Sequence, residues 1–168
     1  MTKIKTLKQI NMPVSNSATL HHTSIVVNDL EKSAAKLAKT LSVSWNIWTI
    51  TPDHCFVNGE PSSFSFKVGF AQVGGASLEL VSPHTGHSVY DEHLKLKGEG
   101  YHHACFAYPD LESMQSAKTE LQNQGHKMIQ HGYTEGIFEF CYFELTEPNM
   151  LLELLYLKEL PAPEKTIG

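Results

Sequence analysis

The sequence contains two copies of one pattern, and this repeat constrains the fold more than any other feature. The segment His21–Glu31 aligns without a gap with His102–Glu112, and both copies contain His-His followed by Asp-Leu-Glu. A second pair of segments, Ala76–Val81 and Met150–Leu155, follows in the same order. Two ordered matches of this kind indicate that the chain is built from two similar halves.

Each half is predicted to form a strand, a helix and then three strands. In the first half, an apolar, β-branched run over 20–27 leads to Asp29, a typical N-cap, and apolar residues then recur at helical spacing through Leu41. In the second half, the helix that follows Asp110 is predicted to end at Gly125. The other predicted strands cover 43–50, 64–73 and 76–82 in the first half, and 128–131, 137–145 and 150–157 in the second.

These elements predict an α+β fold, and the length of 168 residues suits a single domain. We expect an N-terminal tail over 1–18, the domain over 19–157 and a C-terminal tail over 158–168. Within the domain, the first module covers 19–83, a linker covers 84–99 and the second module covers 100–157.

The composition excludes several classes of function. A net charge of −5, without a lysine-rich tract, argues against binding to nucleic acid or to an anionic membrane surface. All 13 basic residues are lysines, so the chain has no guanidinium group for bidentate binding of carboxylates or phosphates. No apolar run reaches the roughly 18–20 residues that a membrane span needs. No apolar stretch follows Met1–Lys5, and we therefore expect a cytoplasmic protein with reduced cysteines.

Four repeat-related residues are candidates for a metal site. His22 and His103 occupy equivalent places in the first strand of each half, and Glu79 and Glu153 occupy equivalent places in the last. A single strand histidine is more often structural, but a carboxylate in an apolar strand is costly to bury without a partner. If a pseudo-two-fold axis relates the halves, the four side chains converge. Two imidazoles and two carboxylates suit a divalent first-row metal.

The same residues resemble the vicinal oxygen chelate superfamily, which includes glyoxalase I, methylmalonyl-CoA epimerase, extradiol dioxygenases and bleomycin-resistance proteins. The likeness covers about residues 19–157 and is greatest to the epimerase branch. It is carried by four segments: His21–Leu30, Leu78–Pro83, Tyr101–Ala104 and Leu152–Leu154.

The resemblance implies a fold and a site. The fold is a cup-shaped, eight-stranded mixed sheet made of two pseudo-symmetric βαβββ modules. The site is one divalent metal ion (Co, Ni, Zn, Mn or Fe) held by His22, Glu79, His103 and Glu153. Because dimers are common in the family, the resemblance also implies a homodimer.

The implied activity is that of a metal-dependent isomerase or epimerase, which removes a proton next to the carbonyl of a small substrate such as an acyl-CoA thioester. Glu153 is the candidate base, because its counterparts act as base in relatives. Two alternatives remain: a lyase of the glyoxalase I type, and a binding protein that holds a small molecule without chemistry. The missing arginines weaken the lyase, and the intact set of ligands weakens the binding protein.

One feature departs from the epimerase pattern. Some epimerases carry a second carboxylate on the third strand of the first half, but Phe64–Phe70 contains only Lys67 as an ionisable group. Glu139, in the matching strand of the second half, could substitute for it, although a solvent-facing position is the simpler interpretation.

Overall fold

The computed structural model describes residues 18–168, so the predicted N-terminal tail lies outside the described residues except for Ala18. The helices are α1 (Leu30–Leu41), α2 (Val89–Lys97) and α3 (Leu111–Asn123). The strands are β1 (Thr19–Val26), β2 (Trp45–Ile50), β3 (His54–Val57), β4 (Glu60–Ser62), β5 (Phe64–Val73), β6 (Ala76–Gly86), β7 (Gly100–Tyr108), β8 (Lys127–Thr134), β9 (Phe138–Leu145), β10 (Met150–Leu157) and β11 (Lys165–Ile167). Within the described part of the chain, no helix has the length and apolar character needed to cross a membrane.

The strands form one open, cup-shaped mixed sheet in the order β11-β2-β5-β6-β1-β7-β10-β9-β8-β3-β4. In the first half, β1 pairs in parallel with β6, and β5 and β2 follow in antiparallel pairs. In the second half, β7 pairs in parallel with β10, and β9 and β8 follow in the same way. The two halves therefore have the same strand order and directions, which confirms the predicted pair of pseudo-symmetric βαβββ modules.

The two halves join where β1 runs antiparallel to β7. At the centre of this junction Thr23 lies opposite Ala104, and these two residues are equivalent in the repeat. A pseudo-two-fold axis therefore passes between them. Because side chains alternate between the two faces of a strand, the neighbours of Thr23 and Ala104 project into the cup on both sides of this axis.

Helices α1 and α3 cover the outer face of the two halves. Their starts agree with the sequence: the Asp29 carboxylate accepts a hydrogen bond from the Lys32 N–H at 3.0 Å, and the Asp110 carboxylate accepts one from the Ser113 N–H at 2.7 Å. Such caps satisfy amide groups that have no partner inside the helix. Gly125 follows α3 with a φ of +83°. The outer cores are formed by Leu30, Ala34, Trp45, Ile47 and Leu80 in the first half and by Met114, Ala117, Leu121, Phe143 and Leu154 in the second.

Two insertions differ from the predicted pattern, and both close one side of the cup. Strands β3 and β4 form a short hairpin that pairs with β8. Within the predicted linker over 84–99, β6 continues to Gly86 and α2 then begins after Ser88. Cys55 and Val57 of the hairpin and Val89 and Tyr90 of α2 belong to the inner core. Strands of three or four residues and a nine-residue helix are too short for a clear periodic signal.

The predicted C-terminal tail is instead an ordered part of the fold. Residues 158–164, here called the crossing segment, run from the end of β10 to β2, and β11 then pairs with β2. Both ends are held by backbone hydrogen bonds, from the Lys158 N–H to Ile137 and from the Glu164 N–H to Ile47. Leu160 packs against the inner core. Leu160 is the one side chain of the segment that packs into the cup, so the sequence of the segment shows little apolar periodicity. For this reason the sequence suggests a tail.

Candidate metal centre

The junction of the two halves brings the predicted histidines together on the floor of the cup. His22 lies opposite Cys105, and Ser24 lies opposite His103, so that the two histidines are diagonal neighbours across the axis. Their Nε2 atoms are 3.1 Å apart. Both side chains are buried. The sequence predicts this convergence because the repeat places both histidines one residue before the axis.

The predicted glutamates approach from the neighbouring parallel strands. Glu79 on β6 is in register with Ser24, and Glu153 on β10 is in register with Cys105. These two pairs are equivalent in the repeat, so each half contributes one carboxylate in the same way. Both glutamates are buried on the inner face of the sheet, and the four predicted side chains form one cluster.

The distances within the cluster match the spacing of ligands around a first-row metal ion. Glu153 Oε2 lies 3.2 Å from His22 Nε2 and 3.0 Å from His103 Nε2, and Glu79 Oε2 lies 3.5 Å from each. With metal–ligand bonds of about 2.0–2.2 Å, adjacent ligand atoms are about 2.8–3.1 Å apart in an octahedron and about 3.3–3.6 Å apart in a tetrahedron. Glu79 is therefore the more loosely placed ligand, and His22, His103 and Glu153 form the compact group.

The charges of the cluster also favour a bound cation. Among residues 18–168, the Oε2 atoms of Glu79 and Glu153 are buried and accept no hydrogen bond. Burial opposes protonation of His22, but attraction to both carboxylates outweighs it and raises the pKa of His22 to about 10. Burial also opposes ionisation of Glu153, but His103 and His22 hold the pKa of its carboxyl well below the usual range. Two ionised carboxylates in a buried site need positive charge beside them, and a divalent ion between these four atoms fits that need.

A small apolar cavity of about 60 Å³ lies above the cluster. His22, Glu79 and Glu153 reach it from the floor of the cup. The walls come from both halves and from the crossing segment: Ile50, Phe66, Val68, Phe70, Phe138, Phe140, Leu155, Leu157 and Leu160. A small chemical group in this cavity would contact three of the four polar side chains.

Several residues of the site are not evident from the sequence. Cys105 and Ser24 are buried beside the cluster at equivalent positions, one per half. Burial, followed by the charge of Glu153, raises the pKa of the Cys105 thiol well above its usual value, which disfavours the nucleophilic thiolate. Ser24 and Cys105 each lie two positions after a predicted ligand histidine, so the repeat in the sequence indicates this pair. Leu160 carries no such signal, because the crossing segment lies outside the repeat.

Glu139 does not lie in the cup, and both sequence interpretations of it are wrong. It lies on the outer face of β9, beneath α3, and is 9% exposed. Its Oε1 accepts hydrogen bonds from Lys118 Nζ and His131 Nε2, both at 2.9 Å, and from Gln115 Nε2 at 2.7 Å. Tyr142 is the residue of β9 in register with Glu153. Because side chains alternate between the two faces of a strand, Glu139, three residues earlier, lies on the opposite face. Glu139 is therefore a structural ion-pair residue and cannot act as a base in the site.

Substituting Glu139 with glutamine is expected to destabilise the fold in a pH-dependent way. Burial opposes ionisation of Glu139, but hydrogen bonds from His131 and Lys118 prevail and lower its pKa from 4.5 to about 2. This stabilisation is complete above the unfolded-state pKa of 4.5 and is lost as the pH falls toward 2. It amounts to about 2–3 kcal/mol after allowance for solvent screening.

Urea denaturation at pH 7 and pH 3 tests this expectation. Glu139→Gln should be about 2 kcal/mol less stable than the wild type at neutral pH, with a smaller difference at pH 3. Glu120→Gln, on the exposed side of α3, is the matched control and should change stability by less than about 0.5 kcal/mol. A loss of the same size at both pH values would show that the ion pair does not account for it.

Comparisons with known proteins agree on the fold. A sequence profile of the Glyoxalase/Bleomycin resistance protein/Dioxygenase superfamily matches residues 21–142. Among solved structures, similar chains include a hypothetical protein from Bacillus halodurans C-125, with 19% identity over 87% of this chain and 99% of that chain and a TM-score of 0.58. The methylmalonyl-CoA epimerase from Mycobacterium tuberculosis has 18% identity over 83% of this chain and 88% of that chain, with a TM-score of 0.57.

A methylmalonyl-CoA epimerase in complex with methylmalonyl-CoA and NH4+ is also similar, with 16% identity over 88% of this chain and 100% of that chain and a TM-score of 0.58. No curated protein matches the sequence. At these identities the solved structures establish the likeness of the fold, and the sequence profile covers more than half of the chain.

Proposed function

Because the chain belongs to the glyoxalase/bleomycin resistance protein/dioxygenase superfamily, we propose that it is a metal-dependent isomerase or epimerase acting on a small carbonyl compound. The observation that carries this proposal is the convergence of His22, His103, Glu79 and Glu153 beneath an apolar cavity. Two similar solved structures are methylmalonyl-CoA epimerases, which favours an acyl-CoA thioester as the class of substrate.

In this proposal, His22, His103, Glu79 and Glu153 hold the ion. A divalent ion at this position would supply Lewis-acid stabilisation of the negative charge that develops on a substrate carbonyl when its α-proton leaves. Glu153 accepts that proton at a carboxylate oxygen and returns it to the same carbon. The C–H electron pair stays on the substrate as an enolate and takes the proton back, so the reaction needs no oxidant or reductant.

The surroundings of Glu153 suit this task. The apolar walls of the cavity reduce the contact of Glu153 with bulk water, which would otherwise compete for the proton. The low pKa of Glu153 keeps its carboxylate unprotonated at neutral pH, so that an oxygen is free for the proton, although a low pKa also lowers its basicity. Strand β5, where some epimerases carry a second carboxylate, has no acidic residue. We therefore assign proton transfer on the other face of the substrate to Glu79, the second carboxylate near the histidines.

A lyase of the glyoxalase I type is the second candidate, since it needs the same kind of metal site and the same proton transfer. The chain has no arginine, so carboxylates of a glutathione adduct would have to be bound by lysines as point charges. This feature favours the isomerase over the lyase.

Two measurements on the purified protein test the proposal. We expect about one divalent ion per chain by elemental analysis. We also expect incorporation of deuterium at the α-carbon when the metal-loaded protein is incubated in heavy water with methylmalonyl-CoA and related branched acyl-CoA thioesters. A parallel reaction with the hemithioacetal of methylglyoxal and glutathione tests the lyase.

The outcomes separate the candidates. Exchange in the thioester supports the isomerase, and conversion of the hemithioacetal to a thioester supports the lyase. Bound metal without exchange in either substrate would favour a binding protein. Failure of the protein to take up a divalent ion would contradict both the metal-dependent isomerase and the metal-dependent lyase.

A further inference from the structure

The junction between β1 and β7 contains two irregularities that the repeat places at equivalent residues. On β1 the pairing passes from Leu20 directly to His22, so His21 is an extra residue; on β7 it passes from Tyr101 to His103, so His102 is an extra residue. These are β-bulges, which redirect side chains locally and are common next to active sites. Both bulges lie immediately before a predicted metal ligand.

The bulges bring two adjacent histidines into contact in each half. In a regular strand, successive side chains point to opposite faces and cannot touch. Here His21 Nδ1 lies 2.8 Å from His22 Nδ1, and His102 Nδ1 lies 2.8 Å from His103 Nδ1. Each ligand histidine therefore has its Nε2 in the metal cluster and its Nδ1 in a hydrogen bond to a second histidine.

The direction of these hydrogen bonds follows from the chemistry of imidazole. A neutral histidine that binds an ion through Nε2 carries its hydrogen on Nδ1 and is a donor there. His22 and His103 thus donate, and His21 and His102 accept at Nδ1. The hydrogens of His21 and His102 must then be on Nε2. In most metal sites this second partner is a carboxylate, a carbonyl oxygen or water, whereas this chain uses a second imidazole.

The two accepting histidines differ in their surroundings. His102 is 3% exposed, with its ring against Tyr90, Tyr142 and His93. Within the described part of the chain its Nε2 is buried and has no hydrogen-bond partner. His21 is partly exposed, with one ring edge near Phe70. Water can therefore reach His21 and replace a lost partner beside His22 more readily than it can beside the fully buried His103.

We propose that His21 and His102 are positioning residues, which accept the Nδ1 hydrogen of the two ligand histidines and so keep their Nε2 atoms directed at the ion, with His102 the more important of the two. This proposal rests on the metal site of the proposed function. It explains why His102 retains a buried Nε2 without a partner, since an apolar side chain would avoid that cost in a purely structural role.

Cobalt(II) binding to the metal-free protein tests the proposal, measured by competition with a chromophoric chelator and by the visible spectrum of the bound ion. His102→Leu removes the acceptor and should weaken binding by about 10–100-fold. His102→Asn keeps an acceptor oxygen near the position of Nδ1 and should bind within a few-fold of the wild type. His21→Leu should have a smaller effect than His102→Leu.

Two controls distinguish positioning from a structural role. His93→Leu changes a ring that contacts His102 but bonds to no ligand, and it should leave cobalt affinity unchanged. The melting temperature of metal-free His102→Leu should stay within a few degrees of the wild type, because removal of the unpaired Nε2 offsets the loss of the acceptor for the His103 Nδ1 hydrogen. Unchanged affinity in His102→Leu, or an equal loss in His102→Asn, would overturn the proposal.

A measurement on the wild type does not depend on how the variants fold. In the zinc-loaded protein, nitrogen-15 NMR should show the hydrogen of His103 on Nδ1 and that of His102 on Nε2. The opposite assignment for His102 would overturn the proposal while leaving the metal site intact. Failure of the wild type to bind cobalt or zinc would instead contradict the proposed function itself.

Discussion

Glu153→Gln is expected to lose about 10²–10⁴-fold in the rate of α-proton exchange, which is the usual contribution of a general base. The amide has nearly the shape of the carboxylate and still offers one oxygen to the ion, but it cannot accept a proton at neutral pH. Metal content should therefore remain close to that of the wild type. The rate of deuterium incorporation into a reactive thioester, measured with metal-saturated protein, gives the comparison directly.

Glu144→Gln is the matched control, because Glu144 lies on the adjacent strand β9 and is exposed. It should leave the exchange rate unchanged. If Glu153→Gln keeps both metal and near-wild-type exchange, Glu153 is a ligand only, and Glu79 becomes the candidate base. The same substitution at Glu79 would then produce the loss.

His103→Ala is expected to abolish tight metal binding. The alanine removes one of the four proposed protein ligands and opens that position to water, which is a weaker ligand than imidazole. The affinity should fall by more than the roughly 10–100-fold that is typical when only a supporting residue is lost. His22→Ala should behave in the same way, since the repeat gives it an equivalent place.

Thermal unfolding with and without added metal measures this effect independently of activity. At a free metal concentration of about 100 times the dissociation constant, the wild type should gain about 2.7 kcal/mol of stability. His103→Ala should gain little at that concentration. His84→Ala, at an exposed position of β6, should retain the full gain. Full metal occupancy in both His103→Ala and His22→Ala would contradict the assigned ligands.

The internal repeat explains why so much of the fold could be predicted. The eight predicted strands and two helices all form, because their apolar patterns are clear and the repeat supports the first strand, the helix and the last strand of each half. The same repeat predicts that His22, His103, Glu79 and Glu153 converge, because equivalent residues near a two-fold axis must lie close together. Long, periodic and duplicated elements are the ones that sequence reasoning recovers.

The parts that could not be predicted depend on contacts between distant segments. A strict alternation of side chains places His21 and His102 on the face opposite the metal cluster, and only the bulges in the β1–β7 pairing bring them back. Strand β11 has three residues, and its position is fixed by β2, which lies more than a hundred residues earlier in the chain. No local pattern encodes either feature.

Strands β3, β4 and β11, which lie outside the repeat, have a consequence for the edges of the sheet. A sheet made of the two modules alone would end in β2 on one side and β8 on the other, each with a free row of N–H and C=O groups. Such edges are templates for pairing with another chain. In this chain β11 covers β2, and the β3–β4 hairpin covers β8.

The outermost strands that result, β11 and β4, have only three residues each, and β4 contains Pro61. Short edge strands and prolines are two of the devices by which natural sheets resist edge-to-edge aggregation. The crossing segment and the hairpin thus protect against intermolecular β-pairing as well as shaping the cup. Within residues 18–168, the sheet therefore offers a second copy of the chain little edge to extend.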